Sequence, residues 1–280
     1  TAPRRAHAAP MPSRRTIVTR PQRDAQQWAQ DLLAAGIEAV ALPLIAIRGV
    51  RDPALHSALL RARAECHNYR ALMFVSGNAV HYFFEGFSAP ALAATAQAAI
   101  HTRAWAPGPG TAQALRDAGV PAGRIDRPAP DAAQFDSESL WQQVAPQIGP
   151  GDRVLIVRGA AGPATEGGSG RDWLARQIAA AGGSVEFVAV YERAAPDLSP
   201  AQRALAQQAA TDGSVWLLSS SEAVTHLRAA LPGQDWSGAH ALATHPRIAG
   251  AARAAGFGTV TECRPAFDDV VASIESLHEL

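Results

Sequence analysis

The chain predicts an α/β fold built from parallel β-sheets covered on both faces by helices. Three observations predict it. Short apolar runs alternate with helical stretches from Thr16 onward, the pattern of consecutive βαβ units. Runs such as Ala71-Leu-Met-Phe-Val75 are continuously apolar, as strands buried on both faces are. The order then repeats. Val75-Ser-Gly-Asn-Ala-Val80 has a counterpart in Ser219-Ser-Ser-Glu-Ala-Val224, and Pro109-Gly-Thr-Ala112 with Gly119 has one in Pro246-Arg-Ile-Ala249 with Gly256. Two matched long strands, Ile37–Ile47 and Ser184–Pro196, each follow an Ala-Ala-Gly helix ending, so the chain reads as two similar parallel-sheet domains.

The elements follow in order. Thr16–Arg20 is a strand stopped by Pro21, and Asp24 is expected to cap a helix over Ala25–Ala35 that ends at Gly36. The long strand Ile37–Ile47 comes next. Asp52-Pro53 opens a helix to Glu65. Strand Ala71–Val75 breaks at Ser76-Gly77-Asn78 into a helix to Phe84. Strand His101–Ala106 breaks at Pro107–Gly110 into a helix to Ala118. Arg124–Asp126 is a short strand, and Ser137-Glu138 opens a helix over Leu140–Ile148. After the turn Gly149–Gly151 come strand Arg153–Val157, a Gly-rich connection Gly159–Gly170, and helix Arg171–Ala181. The long strand from Ser184 precedes a helix capped by Ser199-Pro200. Strand Ser214–Leu218 breaks at Ser219–Ser221 before helix Glu222–Ala230. Strand His240–Ala243 breaks at Thr244–Arg247 before helix Ile248–Ala255. Strand Thr259-Val260 and a helix from Phe267 end the chain. By this pattern alone the chain would divide near Gly149.

Composition excludes several classes. Of 280 residues 48% are apolar and 18% charged, which is globular. Formal net charge is zero, so no broad basic field for nucleic acid exists. Every basic residue is Arg, which removes Schiff-base and Walker-lysine chemistry. Cys66 and Cys263 stand alone, so neither a thiolate zinc site nor a redox pair is expected, and a reduced cytoplasmic setting fits. No apolar run is long enough to span a bilayer. Residues 1–13, with Arg4 and Arg5 but no apolar stretch, read as a disordered tail and not as a signal peptide.

In parallel sheets ligands collect at the carboxyl ends of strands, where helix N-termini aim N–H groups outward. The breaks fall at such ends and share one chemistry: Arg20, Ser76, Asn78, Gly108, Gly110, Thr111, Arg158, Ser220, Ser221, His245, Arg247 and Ile248 offer hydroxyls, guanidinium groups and N–H groups with little acid, Glu222 excepted. That suits an anion. Gly108-x-Gly110 has Gln113 where a dinucleotide fingerprint needs its third glycine. Gly167–Arg171 lacks a phosphate-loop lysine. No Gly-x-Ser-x-Gly elbow exists, and His240 and His245 are not at helical metal spacing. Tyr191, ending the apolar part of the long strand, reads either as a buried structural tyrosine or as an acid.

Together these residues resemble the uroporphyrinogen-III synthase family from about Thr16 to Leu277. The resemblance rests on Val18-Thr-Arg-Pro21, Leu44–Ile47, Phe74–Val80, the turn-helix Gly108–Ala114, Phe135–Glu138, Val154–Gly159, Val190-Tyr-Glu-Arg193, Ser220–Ala223 and His245–Ala249. It implies flavodoxin- or Rossmann-like domains joined by a two-stranded β-ladder hinge, with linkers near 42–49 and 186–195. Residues 14–47 with 189–280 would form one domain and 48–188 the other. The implied reaction closes hydroxymethylbilane, a linear tetrapyrrole octacarboxylate, with loss of water and inversion of its last ring. No cofactor and no metal are implied. The resemblance makes Tyr191 the general acid and places the carboxylates on Ser76, Thr111, Ser220, Ser221 and the backbone from His245 to Ile248. The N–H of Ile248 would serve, since its side chain cannot. The protein would be a monomer that receives its substrate from hydroxymethylbilane synthase. Two rival readings are a two-lobed anion-binding protein without catalysis and a nucleotide-dependent enzyme.

Overall fold

The computed structural model describes residues 15–86, 102–129, 136–160 and 168–278. The tail 1–13 and most of the Gly-rich connection lie outside the described residues. The chain groups into two compact units, one made of the chain up to Ala46 with Ala194–Leu280, the other of Ile47–Arg193.

Strand β1 (Thr16–Val18) leads through Pro21 into α1 (Gln22–Ala34). Pro21, not Asp24, stands at the N-cap, and no side chain caps the helix; Asp24 lies in its first turn. A proline fixes the entry φ and costs no needed N–H there, so the helix starts earlier than an Asp cap would allow. Gly36 ends it at φ 83°, a conformation that favours glycine. The expected long strand 37–47 is two strands, β2 (Ala39–Ala41) and β3 (Ala46–Gly49). Pro43 removes a donor between them, while Leu42 N and Leu44 N bond to Val18 O and Thr19 O. The chain therefore follows β1 to its end and then leaves that sheet.

Helix α2 (Pro53–Ala64) is capped by Asp52, whose carboxylate accepts from Ala54 N and Leu55 N. Strand β4 (Ala71–Phe74) is buried throughout and feeds α3 (Gly77–Phe84). Arg63 donates to the Tyr82 and Phe83 carbonyls, which the end of α3 leaves unpaired. Next come β5 (Arg103–Trp105), α4 (Pro109–Asp117), β6 (Ile125–Asp126) and α5 (Ser137–Val144), which Asp136 caps. Helix α5 gives way to a 3-10 turn at Ala145–Gln147, where Pro146 cannot extend an α-helix. Strand β7 (Arg153–Gly159) runs two residues further than its apolar core, and α6 (Gly168–Ala180) begins inside the expected loop. Strand β8 (Ser184–Ala194) is the long strand expected there.

The C-terminal part adds α7 (Pro200–Ala209), with a full capping box between Ser199 and Gln202, then β9 (Val215–Leu218) and α8 (Ser221–Ala230). Strand β10 (His240–Ala243), α9 (Pro246–Ala254), β11 (Thr259–Glu262) and α10 (Phe267–His278) finish it.

The first unit holds a five-stranded sheet of order β11-β10-β9-β1-β2, parallel throughout. One face packs Leu32, Val270 and Ile274 from the flanking helices. Trp216, fully buried, meets Trp236 and Phe257 edge-on and gives its indole N–H to Ala209 O. The second unit holds a six-stranded sheet of order β3-β8-β7-β4-β5-β6, with β4 to β8 parallel. Phe74, Phe83 and Leu155 pack on one face, and Met73, Trp105 and Ile156 on the other. Each such side chain is worth about 1.5–3 kcal/mol on full burial. Strand β3 is thus the edge of this sheet, beside β8. Among the described residues no helix is long and apolar enough to cross a membrane.

Candidate functional site: strand ends in each unit

Helices start just past the carboxyl ends of β1, β9 and β10 in one sheet and of β4 and β5 in the other. The predicted residues fall on these edges. In the first unit, Thr19 follows β1 and is locked by a buried bond from its hydroxyl to Leu217 O, 2.7 Å. Arg20 comes next. Its guanidinium lies 4.2 Å from the centre of the Trp28 ring. Burial lowers its pKa, and the charge of Asp24 only partly opposes this. Asp24 is affected in mirror fashion, pushed up by burial and pulled down by Arg20.

Ser220 caps α8: its Oγ accepts from Glu222 N at 3.2 Å, and the residue is 7% exposed. Ser221 is the first helical residue, half-buried. His245 caps α9 through Nδ1, which accepts from Arg247 N at 3.1 Å; both residues are exposed. Ile248 disagrees with expectation. Its side chain is 5% exposed and its N–H already donates to His245 O at 3.0 Å, so the tight first turn of α9 uses the group reserved for a ligand. The side chain of Arg247 remains, at the exposed surface.

In the second unit, Ser76 caps α3 by accepting from Ala79 N at 3.2 Å, with Asn78 in the first turn. Gly108 stands at the N-cap of α4, where it supplies no side-chain cap. Its φ of −142° is one any residue adopts. Nothing lies within 4 Å of a Cβ built on Gly110, so open space surrounds it. Neither glycine is there for conformation, which argues against a dinucleotide turn and leaves room before the α4 N-terminus. Thr111 is 7% exposed, on the buried side of that turn.

Tyr191 sits on β8 where the pairing with β7 shifts register between Arg158 and Gly159. Its ring lies over Gly159: a Cβ there would come within 2.5 Å of Tyr191 Cε2. Tyr82 flanks it, ring centroids 6.0 Å apart, and spends its own hydroxyl on Ile47 O at 2.9 Å. The Tyr191 hydroxyl makes no hydrogen bond to a described residue. Arg158 does not join this group. Its guanidinium is stacked 4.4 Å over Phe187. Phe187 pairs with Ile156, which packs on the α5–α6 side, whereas Tyr191 packs on the α3 side. Residues four apart on a regular strand share a face, so it is the irregularity in the β7–β8 pairing at Arg158–Gly159 that parts the two.

Sequence reasoning missed three partners. Gly159 and Tyr82 frame Tyr191, and Trp28 holds Arg20. Only strand pairing and helix packing bring them close, and no spacing in the chain signals it. An apolar hollow lined by Leu72, Phe83, Phe84 and Val120 lies apart, and none of the predicted residues lines it. Among the described residues no group of three or more His, Cys, Asp or Glu could hold a metal ion.

Comparison with known proteins bears on the same stretch of chain. A family profile described as uroporphyrinogen-III synthase HemD matches residues 26–272. A uroporphyrinogen-III synthase of Chlorobaculum parvum is 29% identical over 189 residues, 67% of each chain. Among solved structures, uroporphyrinogen-III synthetase from Helicobacter pylori superposes with a TM-score of 0.53 at 17% identity, covering 87% of this chain and 94% of that one. A mutant uroporphyrinogen III synthase from Thermus thermophilus gives 0.46 at 17% identity over 95% and 99%. At such identities the likeness to the Helicobacter pylori structure supports the two-domain α/β fold alone.

Proposed function

Because the chain belongs to the uroporphyrinogen-III synthase family, we propose that it closes hydroxymethylbilane to uroporphyrinogen III, with loss of water and inversion of the last ring. The observation that carries this reading is the family match across 26–272, joined to strand ends of one chemistry in both units. Hydroxyls, guanidinium groups and helix N-termini suit the eight carboxylates of such a substrate.

The chain has two tasks. One is to help the hydroxyl leave the first ring. Tyr191 donates its phenolic proton to that oxygen, the C–O bond breaks, and water departs. The positive charge left on the first ring is quenched when the substituted carbon of the last ring bonds to the freed methylene. The older bond from that carbon to its own methylene then breaks, that methylene rejoins the free α-carbon of the same ring, and the proton this carbon sheds restores the phenol. Three features support this role: the ring held over Gly159, the neighbouring Tyr82 with its hydroxyl spent, and the Tyr191 hydroxyl without a described partner. The other task is orientation, so that the last ring attacks through its substituted carbon and the spontaneous, non-inverted closure loses. Ser76, Asn78 and the α4 N-terminus at Gly108–Thr111 serve in the second unit; Arg20, Ser220, Ser221, His245 and Arg247 serve in the first. The protein works as a cytoplasmic monomer supplied by hydroxymethylbilane synthase.

The test is to incubate the protein with hydroxymethylbilane and separate the isomers. The type III isomer is expected; type I alone overturns the reading. Tyr191→Phe is expected to lose most of the turnover, and wild-type turnover removes Tyr191 from its role. Sedimentation of the pure chain decides the monomer.

A further inference from the structure

Resting on the reading that the ligand is a polycarboxylate, we propose that Arg20 and Ser219 form a seat for one carboxylate of the substrate on the first unit. Strands β1 and β9 run parallel with Val18 beside Leu217. Continued two residues past the last pair, that register sets Arg20 level with Ser219 at the carboxyl edge of the sheet. Each brings a polar atom shut off from solvent with no hydrogen-bond partner: Arg20 Nε and Ser219 Oγ. The only other such atom among the described residues, Thr16 Oγ1, is at the opposite end of β1. The adjoining hydroxyls are already engaged, Thr19 with Leu217 O and Ser220 with Glu222 N. Ser219 is the one left over.

Arg20 is held in place but not paired. Its guanidinium rests on Trp28, which is itself buttressed edge-on by Phe267 at 5.3 Å. Asp24 is close enough to be felt, yet no ion pair closes with it. A cation taken out of water without a partner costs free energy, and a packed fold keeps one where a ligand supplies the missing charge. A carboxylate fits what is missing. It takes two parallel bonds from the guanidinium edge and one from a serine hydroxyl. Helix α1, which begins beside Arg20 with no side-chain cap, adds its N-terminal field. Ser219 is thereby a further binding residue, and Trp28 is the surface that fixes the guanidinium.

The experiment uses the full chain as wild type, Arg20→Met, Arg20→Lys and Ser219→Ala. Melting temperature is read alone, with uroporphyrin as an octacarboxylate probe, and with inorganic phosphate; KM and kcat are read with hydroxymethylbilane. Arg20→Met is expected to melt at or above wild type without ligand, since the unpaired cation is gone, and to lose the uroporphyrin-induced rise. Its KM is expected to climb about ten- to a hundredfold, the range of a charged hydrogen-bond pair, with kcat within about threefold. Arg20→Lys recovers only part of this, because an ammonium has no fork. Ser219→Ala, too small a change to upset folding, raises KM about three- to tenfold. Unchanged KM in Ser219→Ala and Arg20→Lys overturns the seat, as does an Arg20→Met protein that is destabilised but binds normally. Stabilisation by phosphate that depends on Arg20, with none by uroporphyrin, assigns the seat to a free inorganic anion and overturns it too. Failure of the wild type to make the type III isomer removes the proposed function, while the Arg20-dependent uroporphyrin shift still decides the seat.

Discussion

Gly159→Ala is the sharpest perturbation of the proposed acid, because it changes no functional group. The added Cβ would lie 2.5 Å from Tyr191 Cε2 and 2.8 Å from Cζ. Carbon atoms rest about 3.5–4.0 Å apart, so the ring must retreat by about 1 Å. Strand β8 cannot take up the whole movement. It is paired to β7 from Ser184 to Tyr191, and Ala160 N also bonds to Tyr191 O at 2.7 Å. Overpacking of this kind costs about 1–3 kcal/mol, which lowers the melting temperature by about 2–4 °C for each kcal/mol in a chain of this size class. A reacting group displaced by about 1 Å loses on the order of a hundredfold in rate. The initial rate of type III isomer formation should fall by that order with KM nearly unchanged. The control is Tyr191→Ala, alone and with Gly159→Ala. With the ring gone the methyl has nothing to strike, so the two changes should be non-additive, with a coupling of about 1–3 kcal/mol. Wild-type melting and turnover in Gly159→Ala, or strict additivity in the pair, would refute the reasoning.

Other outcomes follow from the same contacts. Ser199→Ala breaks a capping box away from the proposed site; it should cost about 1 kcal/mol and leave KM alone, whereas Ser220→Ala should lower stability by a similar amount and raise KM as well. Tyr69 donates to Glu186 at 2.8 Å, and burial first, then Glu186, push its pKa up to about 12. A raised pKa means that the folded state holds the proton longer. This stability is whole below pH 10, the ordinary value, and is lost as pH climbs toward 12. Tyr69→Phe should therefore flatten the alkaline limb of a melting-temperature profile. Burial raises the thiol pKa of both Cys66 and Cys263; alkylation by iodoacetamide near neutral pH should be slow in the native protein and fast in denaturant for both.

Much of the fold was legible because its signals are local. The matched Ala-Ala-Gly endings became Gly36 and Gly182 at φ 83° and 90°, since a helix that must turn sharply needs a residue that tolerates that conformation. Asp52 and Ser199 cap as their position before Pro implied. The misreadings have local causes as well. The stretch 37–47 has the composition of one strand, but Pro43 breaks it and its halves serve different sheets. Asp24 carries the residue type of a cap, but Pro21, which ends a strand, also starts the helix and leaves Asp24 in its first turn. At the site, the residue types at strand ends were readable. Their orientation was not: the register shift at Gly159 decides that Arg158 faces Phe187 while Tyr191 faces Tyr82.

By itself the sequence determined the class of fold, the rhythm of strands and helices, and the anion-suited chemistry of the strand ends. All of these depend on residues close together in the chain, through periodicity, capping and backbone preference. Tertiary structure alone decided which of those residues remain available to a ligand. Ile248 spends its N–H within its own helix turn, Ser220 accepts a cap bond and keeps only its O–H to give, and Arg20 Nε and Ser219 Oγ are left without partners. A hydrogen-bond account closes only when segments such as β1 and β9, far apart in the chain, are laid side by side.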